Sequence, residues 1–186
     1  ALLAFSAIRN NDKVGLLIFT DKIEKYIPPQ KGRSHVLRVI REILYFKPES
    51  RQTDINTGLE HLLNGLKRHS IVFLLSDFED QGYFQALKIL NKKHDAIAIH
   101  TVDQREKNIP DLGLVTFQDP ETGQKITINT SDKQSKQKYL NYIEQKRNKF
   151  IEKANRINLD HIEIDVSQSY IKPLVSFFKT RAQRLK

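Results

Sequence analysis

Residues 70–77 read Ser70-Ile71-Val72-Phe73-Leu74-Leu75-Ser76-Asp77, an apolar run that ends on a hydroxyl and a carboxylate. A continuous apolar run of this length is typical of a strand that is buried on both faces, as in a parallel sheet. Ligands of such sheets bind at the carboxyl ends of the strands. The stretch therefore predicts a buried strand followed, at Asp77, by a candidate binding residue.

Other strand patterns alternate with helical patterns along the chain. We predict further strands at residues 14–19, 96–102 and 160–165. Strands that alternate with helices indicate an α/β fold with a mainly parallel sheet and helices on both faces. Residues 23–27 are expected to form an edge strand that stops at Pro28-Pro29, because proline cannot donate to a sheet. We expect residues 1–186 to form a single domain.

The C-terminal third departs from this alternation. Residues 113–130 contain the turn signal Asp119-Pro120-Glu121-Thr122-Gly123, which predicts a β-hairpin insertion beside the main sheet. A long helix is predicted from Asp132 to about Asn155, with its aromatic residues in the core. Those aromatic residues are Tyr139, Tyr142 and Phe150. A last helix is predicted from about Ser169, with Ile171, Leu174, Val175 and Phe178 facing inward.

The positive charge is concentrated in the same third of the chain. The net charge is +9 in total, and residues 131–186 carry most of the excess. The simplest interpretation is a solvated, Lys-rich helix face, where any partner would dock electrostatically and with salt sensitivity. A nucleic-acid-binding module is an alternative, but it requires one continuous cationic face with aromatic side chains available for stacking. We expect no nucleic-acid partner.

Several chemistries are excluded by composition and spacing. The absence of Cys rules out disulfides, thiolate metal sites and cysteine nucleophiles. The sequence contains no Gly-rich phosphate loop and no Gly-x-Ser-x-Gly elbow. The six His residues show no metal-ligand spacing, and His94 and His100 are expected to be packed or capping residues. No segment is apolar enough to predict a membrane span or a signal peptide, and the expected location is cytoplasmic.

Oxygen-bearing side chains follow the predicted strands. Thr20-Asp21 follows the strand at 14–19, and Asp103 and Glu106 follow the strand at 96–102. The loop Arg51–Gly58 leads into a predicted helix, which Asp54 could cap, and Asp77 could cap a helix near Gln81. Hard oxygen ligands of this kind suit Mg²⁺, Mn²⁺ or Ca²⁺.

Two of these stretches resemble the metal loops of von Willebrand factor A domains. Gln52-Thr53-Asp54-Ile55-Asn56-Thr57-Gly58-Leu59 resembles their second metal loop, and Ile71 to Asp77 resembles the strand that ends in their third metal-site residue. The series Lys93-His94-Asp95, Asp103-Gln104-Arg105-Glu106 and Pro120-Glu121-Thr122-Gly123 is similar to the bacterial domain of unknown function 58 family. The match to this family extends to Tyr170 and Arg181 near the C-terminus.

The resemblance implies a three-layer, Rossmann-like fold with a metal ion-dependent adhesion site. Thr53 and Asp77 match the Thr and Asp that later loops of such a site contribute. In these domains an Asp-x-Ser-x-Ser motif follows the first strand, ahead of both loops, and none stands there in this sequence; residues 165–169 have that spacing but follow the last predicted strand. We therefore expect the chain to be an N-terminally truncated fragment that lacks the central first strand. The edges of strands 14–19 and 71–76 should then pair with each other, pair with another segment or chain, or be the places where the missing strand itself pairs.

What the resemblance implies is a non-enzymatic, Mg²⁺-dependent protein-binding module. An acidic group of the partner would complete the metal coordination, and a MoxR-type AAA+ ATPase is the first candidate partner. This fragment alone should bind Mg²⁺ weakly or not at all. A separate alternative, based on the acidic residues, is a metal-dependent phosphoesterase or nuclease with the ligands Asp77, Glu79, Asp80 and Asp103.

Overall fold

The computed structural model describes residues 2–103, 110–118, 123 and 125–184. The chain divides after Gly65 into two compact units. The elements of the first unit are α1 (Leu2–Arg9), β1 (Val14–Phe19), β2 (Ile23–Gln30), α2 (Arg33–Tyr45) and α3 (Ile55–Gly65). Those of the second unit are β3 (Ile71–Ser76), α4 (Phe84–Lys93), β4 (Asp95–Val102), β5 (Leu114–Gln118), β6 (Lys125–Asn129), α5 (Lys133–Arg156), β7 (Asp160–Asp165) and α6 (Ile171–Arg184).

In the first unit, β1 and β2 form an antiparallel ribbon. The prediction that β2 would stop at Pro28 was wrong, since the strand continues to Gln30. The register shifts between Val14 and Leu16, and this irregularity accommodates the two prolines. Gly15 lies directly against this part of β2. A Cβ on Gly15 would lie 3.0 Å from both the Ile27 carbonyl oxygen and a Pro29 ring carbon. Strand β2 therefore tolerates its two prolines because β1 is irregular opposite them and has a glycine, without a side chain, at the point of contact.

Helix α3 packs closely against β1 through Gly58. A Cβ on Gly58 would lie 2.7 to 2.9 Å from ring carbons of Phe19, closer than carbon atoms normally approach. Ile55 and Leu59, on the same helix, are completely buried. The Thr-Gly step at 57–58 therefore lets the helix and the last residue of β1 approach each other.

In the second unit, three parallel strands form one sheet in the order β3-β4-β7. The central strand β4 contains the buried run Ala96 to Ile99. Helix α4 contributes three buried residues to this core, namely Ala86, Leu87 and Leu90. Strand β7 lies at an edge of this sheet, because it pairs with β4 alone within the described residues.

All four main predicted strands are present at the predicted positions, and the α/β class is confirmed. The predicted sheet differs in one respect, because β1 pairs with β2 rather than with any parallel strand of the described chain. Within those same residues β3 also has one hydrogen-bonded neighbour, β4. Of the three possibilities given for the edges of β1 and β3, direct pairing of the two strands is not found within the described residues. The parallel pairing itself requires crossover helices, and α4 supplies the one between β3 and β4.

The predicted hairpin and long helix are both present in the second unit. Strands β5 and β6 form an isolated antiparallel pair, and most of the predicted turn at residues 119–123 lies outside the described residues. Asp132 caps α5, since its carboxylate accepts hydrogen bonds from the backbone N–H groups of Gln134 and Ser135. Phe150 is buried as predicted, but Tyr142 is 53% exposed and the prediction that it lies in the core was wrong.

Helix α6 buries less of its apolar stripe than the sequence predicts. Leu174 is buried, whereas Ile171 and Val175 are 50% and 44% exposed. Hydrophobic periodicity marks which side chains share a face, but not how much of that face a neighbour covers. Within the described part of the chain, no helix combines the length and apolar composition needed to cross a bilayer.

Candidate functional site

Asp77 lies at the carboxyl end of an edge strand of the parallel sheet. It follows β3 directly and its side chain is exposed. The carboxylate Oδ1 accepts a hydrogen bond from the Glu79 backbone N–H at 3.2 Å and one from the Ser76 hydroxyl at 3.4 Å. Asp77 therefore stabilises a local turn rather than capping α4, whose N-cap residue is Tyr83.

The loop after β3 is held by Phe78, which adopts an unusual backbone conformation. Its φ of 57° lies in the left-handed region, which costs a bulky residue about 1–2 kcal/mol. Its side chain is buried and stacks on Phe150 of α5, with ring centroids 4.4 Å apart. Burying a Phe side chain contributes about 1.5–3 kcal/mol, so packing outweighs the backbone strain. The direction of the loop at Asp77 thus depends on α5.

An ion pair also joins the loop to α5. Lys146 pairs with Glu79, and its ammonium lies 4.7 Å from the centroid of the Tyr142 ring. Glu79 and Lys146 are both about half exposed, so the pair is worth less than about 1 kcal/mol. Its main effect is positional, because it directs one of the loop carboxylates toward the helix.

Tyr83 packs beneath the same loop. It is buried, and its hydroxyl oxygen lies 3.5 Å from the Phe78 carbonyl oxygen. Burial raises the pKa of Tyr83, and the nearby carboxylates of Asp80, Asp77 and Glu79 raise it further. The phenol therefore stays neutral at physiological pH and serves as a hydrogen-bond donor within the loop.

His100 is a packed residue, which is one of the two roles expected for it, but its place among the acidic residues at this edge was not predicted. It is aligned with Ser76 across the β3–β4 pair and with Glu163 across the β4–β7 pair. Its ring packs against Phe78 and Phe150, with centroids at 5.8 and 5.2 Å. Burial lowers the pKa of His100, although Glu163, Asp77 and Glu79 act in the opposite direction. A neutral imidazole therefore lies among the carboxylates at the ends of the parallel strands.

In the first unit, Thr53 lies in a loop that is attached to the end of β1. The backbone N–H of Asp54 donates to the Thr20 carbonyl oxygen at 3.1 Å, and Thr20 follows β1 directly. Thr53 itself is half-buried. The loop is thus fixed at the carboxyl end of β1.

Asp54 caps α3, as the sequence allowed. Its Oδ1 accepts from the backbone N–H of Asn56 at 2.9 Å and of Thr57 at 3.3 Å, while its Oδ2 accepts from the Thr57 hydroxyl at 2.7 Å. The Asp54 carboxylate is therefore occupied by the helix start. Thr53, the residue before it, is the one that the resemblance assigns as a candidate metal ligand.

Thr20 and Asp21 belong to a hydrogen-bonded network rather than to an open set of ligands. The Thr20 hydroxyl donates to Glu24 Oε1 at 2.9 Å, and the same oxygen accepts from the backbone N–H groups of Glu49 and Ser50. A hydrogen bond with the Ser50 side chain lowers the pKa of Asp21. These contacts fix the segment that precedes the Thr53 loop.

The two predicted ligands lie in different units, Thr53 in the first and Asp77 in the second, so that their convergence on one ion stays a prediction. Of the other acidic candidates, Glu79 pairs with Lys146, and Asp80 Oδ1 accepts from the Gln81 backbone N–H at 2.6 Å. Glu106 lies outside the described residues. Within residues 2–103, 110–118, 123 and 125–184, no group of three or more His, Asp or Glu side chains is arranged to hold a metal ion. The hydroxyl of Thr53 and the carboxylate of Asp77 are chemically suited to Mg²⁺. Together they would supply only two of the six oxygen ligands that this ion takes.

Comparison with known proteins places the chain in a family. A family model described as "Protein of unknown function DUF58" matches residues 1–149. The chain therefore belongs to the DUF58 family.

Several curated relatives are mycobacterial and uncharacterised. The uncharacterised proteins Rv1480 of Mycobacterium tuberculosis and Mb1516 of Mycobacterium bovis are each 25% identical over 126 residues, which is 66% of this chain and 40% of the relative. The uncharacterised protein MAV169 of Mycobacterium avium is 29% identical over 100 residues, covering 52% of this chain and 59% of that protein. This chain thus spans 40% of the length of the first of these relatives. No solved structure matches it.

Proposed function

We propose that this chain is a von Willebrand factor A-like, Mg²⁺-dependent protein-binding module without catalytic activity of its own. The observation that carries the proposal is the placement of the two predicted ligands. In each unit the predicted residue lies at the carboxyl end of a strand: the loop of Thr53 is bonded to the residue after β1, and Asp77 follows β3 directly. Carboxyl ends of strands are where open α/β sheets bind their ligands.

The chemistry of Asp77 supports a role in coordinating metal together with a partner. The carboxylate is exposed, and its position is set by the Ser76 hydroxyl, the Glu79 N–H and the buried Phe78 ring. An exposed carboxylate in a fixed loop retains lone pairs for a cation or for a water bound to it. When bound, Mg²⁺ would supply open or water-filled positions that an acidic group of a partner could enter. We propose a MoxR-type AAA+ ATPase as that partner.

A metal-dependent phosphoesterase remains the alternative and would use the acidic residues differently. It would use Glu79, Asp80 and Asp103 as metal ligands beside Asp77. Glu79 would then have to leave Lys146, and Asp80 would have to turn away from the Gln81 N–H. We therefore prefer the binding module, in which Asp77 acts without these two residues.

The experiment compares Asp77→Ala, Thr53→Ala and Asp80→Ala in the full-length protein that contains this region. Binding to a purified MoxR-type ATPase is measured by biolayer interferometry in excess Mg²⁺ and in EDTA. We expect Asp77→Ala and Thr53→Ala to weaken Mg²⁺-dependent binding at least about tenfold, whereas Asp80→Ala binds normally. Normal, Mg²⁺-responsive binding by Asp77→Ala would refute the proposal. Mg²⁺-dependent hydrolysis of a phosphodiester that is lost in Asp80→Ala would support the enzyme instead.

A further inference from the structure

An open groove of about 540 Å³ lies between β6 and α5 in the second unit. Its apolar lining comes from Ile126 and Ile128 of β6 and from Tyr139 and Tyr142 of α5, and Lys138 lies among them. Ile126 is 63% exposed and Tyr142 is 53% exposed. The groove is therefore an accessible apolar surface with a cationic side chain beside it.

The groove exists because the hairpin covers α5 only in part. Phe117 of β5 stacks on Tyr139, with ring centroids 5.6 Å apart. Ile126 is the cross-strand partner of Phe117, so both side chains lie on the face of the ribbon that meets α5. Phe117 and Tyr139 are half-buried, yet Ile126 stays exposed. One half of the apolar face is thus packed and the other half is uncovered.

The uncovered half adjoins a strand edge. Within the described residues β6 pairs with β5 alone, so its other edge presents backbone N–H and C=O groups that can pair with an added strand. Alternate side chains of an added strand point to opposite faces. An extended segment on this edge would place every second side chain over Ile126 and Ile128.

The charge around the groove selects the kind of segment. Helix α5 carries eight Lys or Arg residues and two Glu. The groove lining includes Lys138 and no carboxylate. An acidic side chain two positions from an apolar one lies on the same face of an extended segment. Such a pair would find a complementary charge at Lys138 and an apolar contact at Ile126.

The same aromatic residues are poorly arranged for nucleic acid. Binding of a single strand requires free aromatic faces on which bases can stack. One face of Tyr139 is occupied by Phe117, and the ammonium of Lys146 lies over the ring of Tyr142. The observations therefore favour a peptide over an oligonucleotide.

We propose that the groove between β6 and α5 binds an extended, acidic segment of a partner protein in which an acidic residue lies two positions from an apolar one, so that both side chains share one face. The segment adds to the edge of β6, inserts an apolar side chain between Ile126 and Tyr142, and pairs a carboxylate with Lys138. This contact needs no metal ion. It is therefore distinct from the Mg²⁺-dependent binding proposed for Asp77, and EDTA should leave it unchanged.

The test uses the 186-residue chain and a fluorescein-labelled peptide that repeats Glu-Thr-Val-Thr, called the Glu-Val peptide, and follows binding by fluorescence anisotropy. In this repeat Glu and Val lie on the same face of an extended segment. The reference peptides replace Glu by Lys or by Gln. Two variants address the groove, Lys138→Glu and Ile126→Asp. Two matched controls carry the same changes elsewhere, namely Lys149→Glu on α5 and Leu114→Asp on the opposite face of the ribbon, and both of those side chains are exposed. Circular dichroism confirms that each variant is folded.

We expect the Glu-Val peptide to bind in EDTA and to bind at least about tenfold more weakly to each groove variant. The two control variants should stay within about twofold of the original chain, because exposed charges far from a contact contribute little. Equal binding of the Lys-Val peptide, unchanged binding by Lys138→Glu, or no binding of the Glu-Val peptide would each overturn the proposal. Preferential binding of a thymidylate oligonucleotide would overturn the proposal and indicate that the groove binds nucleic acid. Self-association of the chain that Ile126→Asp abolishes would overturn it and indicate that the groove binds a second copy of this chain.

Discussion

Arg181 of α6 joins the first residues of two neighbouring parallel strands. Its guanidinium contacts the carboxylate of Asp95, which begins β4, and its Nε lies 2.9 Å from Oδ2 of Asp160, which begins β7. The Arg181 side chain is only 13% exposed. Helix α6 is thus fixed at the amino ends of the strands, and Asp77 lies at the carboxyl end of the same sheet.

Replacing Arg181 by Met should destabilise the protein by about 2–3 kcal/mol, because two partly buried carboxylates would lose their common cation. Arg184→Met is the matched control. Arg184 lies 3.3 Å from Asp160 but is 60% exposed, and we expect a loss below about 1 kcal/mol. Urea unfolding followed by circular dichroism measures both values. Equal losses in the two variants would contradict the structural role assigned to Arg181.

The two glycines of α3 should respond to alanine in opposite directions. Gly58→Ala should cost about 1–3 kcal/mol, because its Cβ would lie within 2.9 Å of the Phe19 ring. Gly65→Ala should stabilise by about 0.4–1 kcal/mol, because nothing lies within 4 Å of the added carbon. Thermal and urea unfolding of the two variants give the comparison. A stabilising Gly58→Ala would show that α3 does not pack on Phe19 as described.

Protonation of His94 should destabilise the fold in mild acid. His94 is 5% exposed, and in the described part of the chain neither ring nitrogen has a hydrogen-bond partner. Burial lowers the pKa of His94, and the nearby His69 and Lys93 lower it further. In the unfolded chain the pKa is about 6.5, so the unfolded state binds the proton first. The free energy of unfolding should therefore fall as pH drops below about 6.5.

The measurement compares urea unfolding at about pH 7.5 and about pH 5.5 in the original chain and in His94→Leu. The loss of stability between the two pH values should be smaller in the variant. It should not vanish, because the pKa of His100 is also lowered by burial. An identical loss in both proteins would mean that His94 is not the titrating group.

Isothermal titration calorimetry tests the expected metal ligands directly. Thr53 and Asp77 supply one hydroxyl and one carboxylate, whereas Mg²⁺ prefers near-octahedral oxygen coordination and releases its waters reluctantly. We therefore expect this chain alone to show no micromolar affinity for Mg²⁺. Micromolar binding would mean that the ligand set has been assigned incorrectly.

The sequence predicts the strands of this protein better than their pairing. The apolar runs at residues 71–75 and 96–102 locate β3 and β4. The expected burial on both faces is found in β4 but not in β3, where Ile71 and Leu75 are 60% and 59% exposed. The extension of β2 through Pro28 was missed because the irregular register opposite it is a property of the pair. The exposure of Tyr142 was missed for a similar reason, since periodicity does not reveal how far the hairpin covers α5.

In the candidate site, too, some residues could be assigned from the sequence and others could not. Asp54 could be assigned from its place before a helix start, and the cap that it forms is confirmed. Asp77 was selected from its place after a strand, and its role as a metal ligand stays a prediction. The pairing of Lys146 with Glu79 and the position of His100 depend on contacts between distant segments. The place of His100 at the end of a buried strand was the one available signal.

The stacking of Phe78 on Phe150 has a consequence for the order in which the protein folds. The loop that carries Asp77 follows β3, but the ring that stabilises its left-handed residue comes from α5, which is synthesised after the hairpin. Contacts between segments so far apart in the chain form late, since a long loop must close first. The arrangement around Asp77 should therefore be among the last parts of the second unit to mature, so a nascent or shortened chain would have its strands before it had its site.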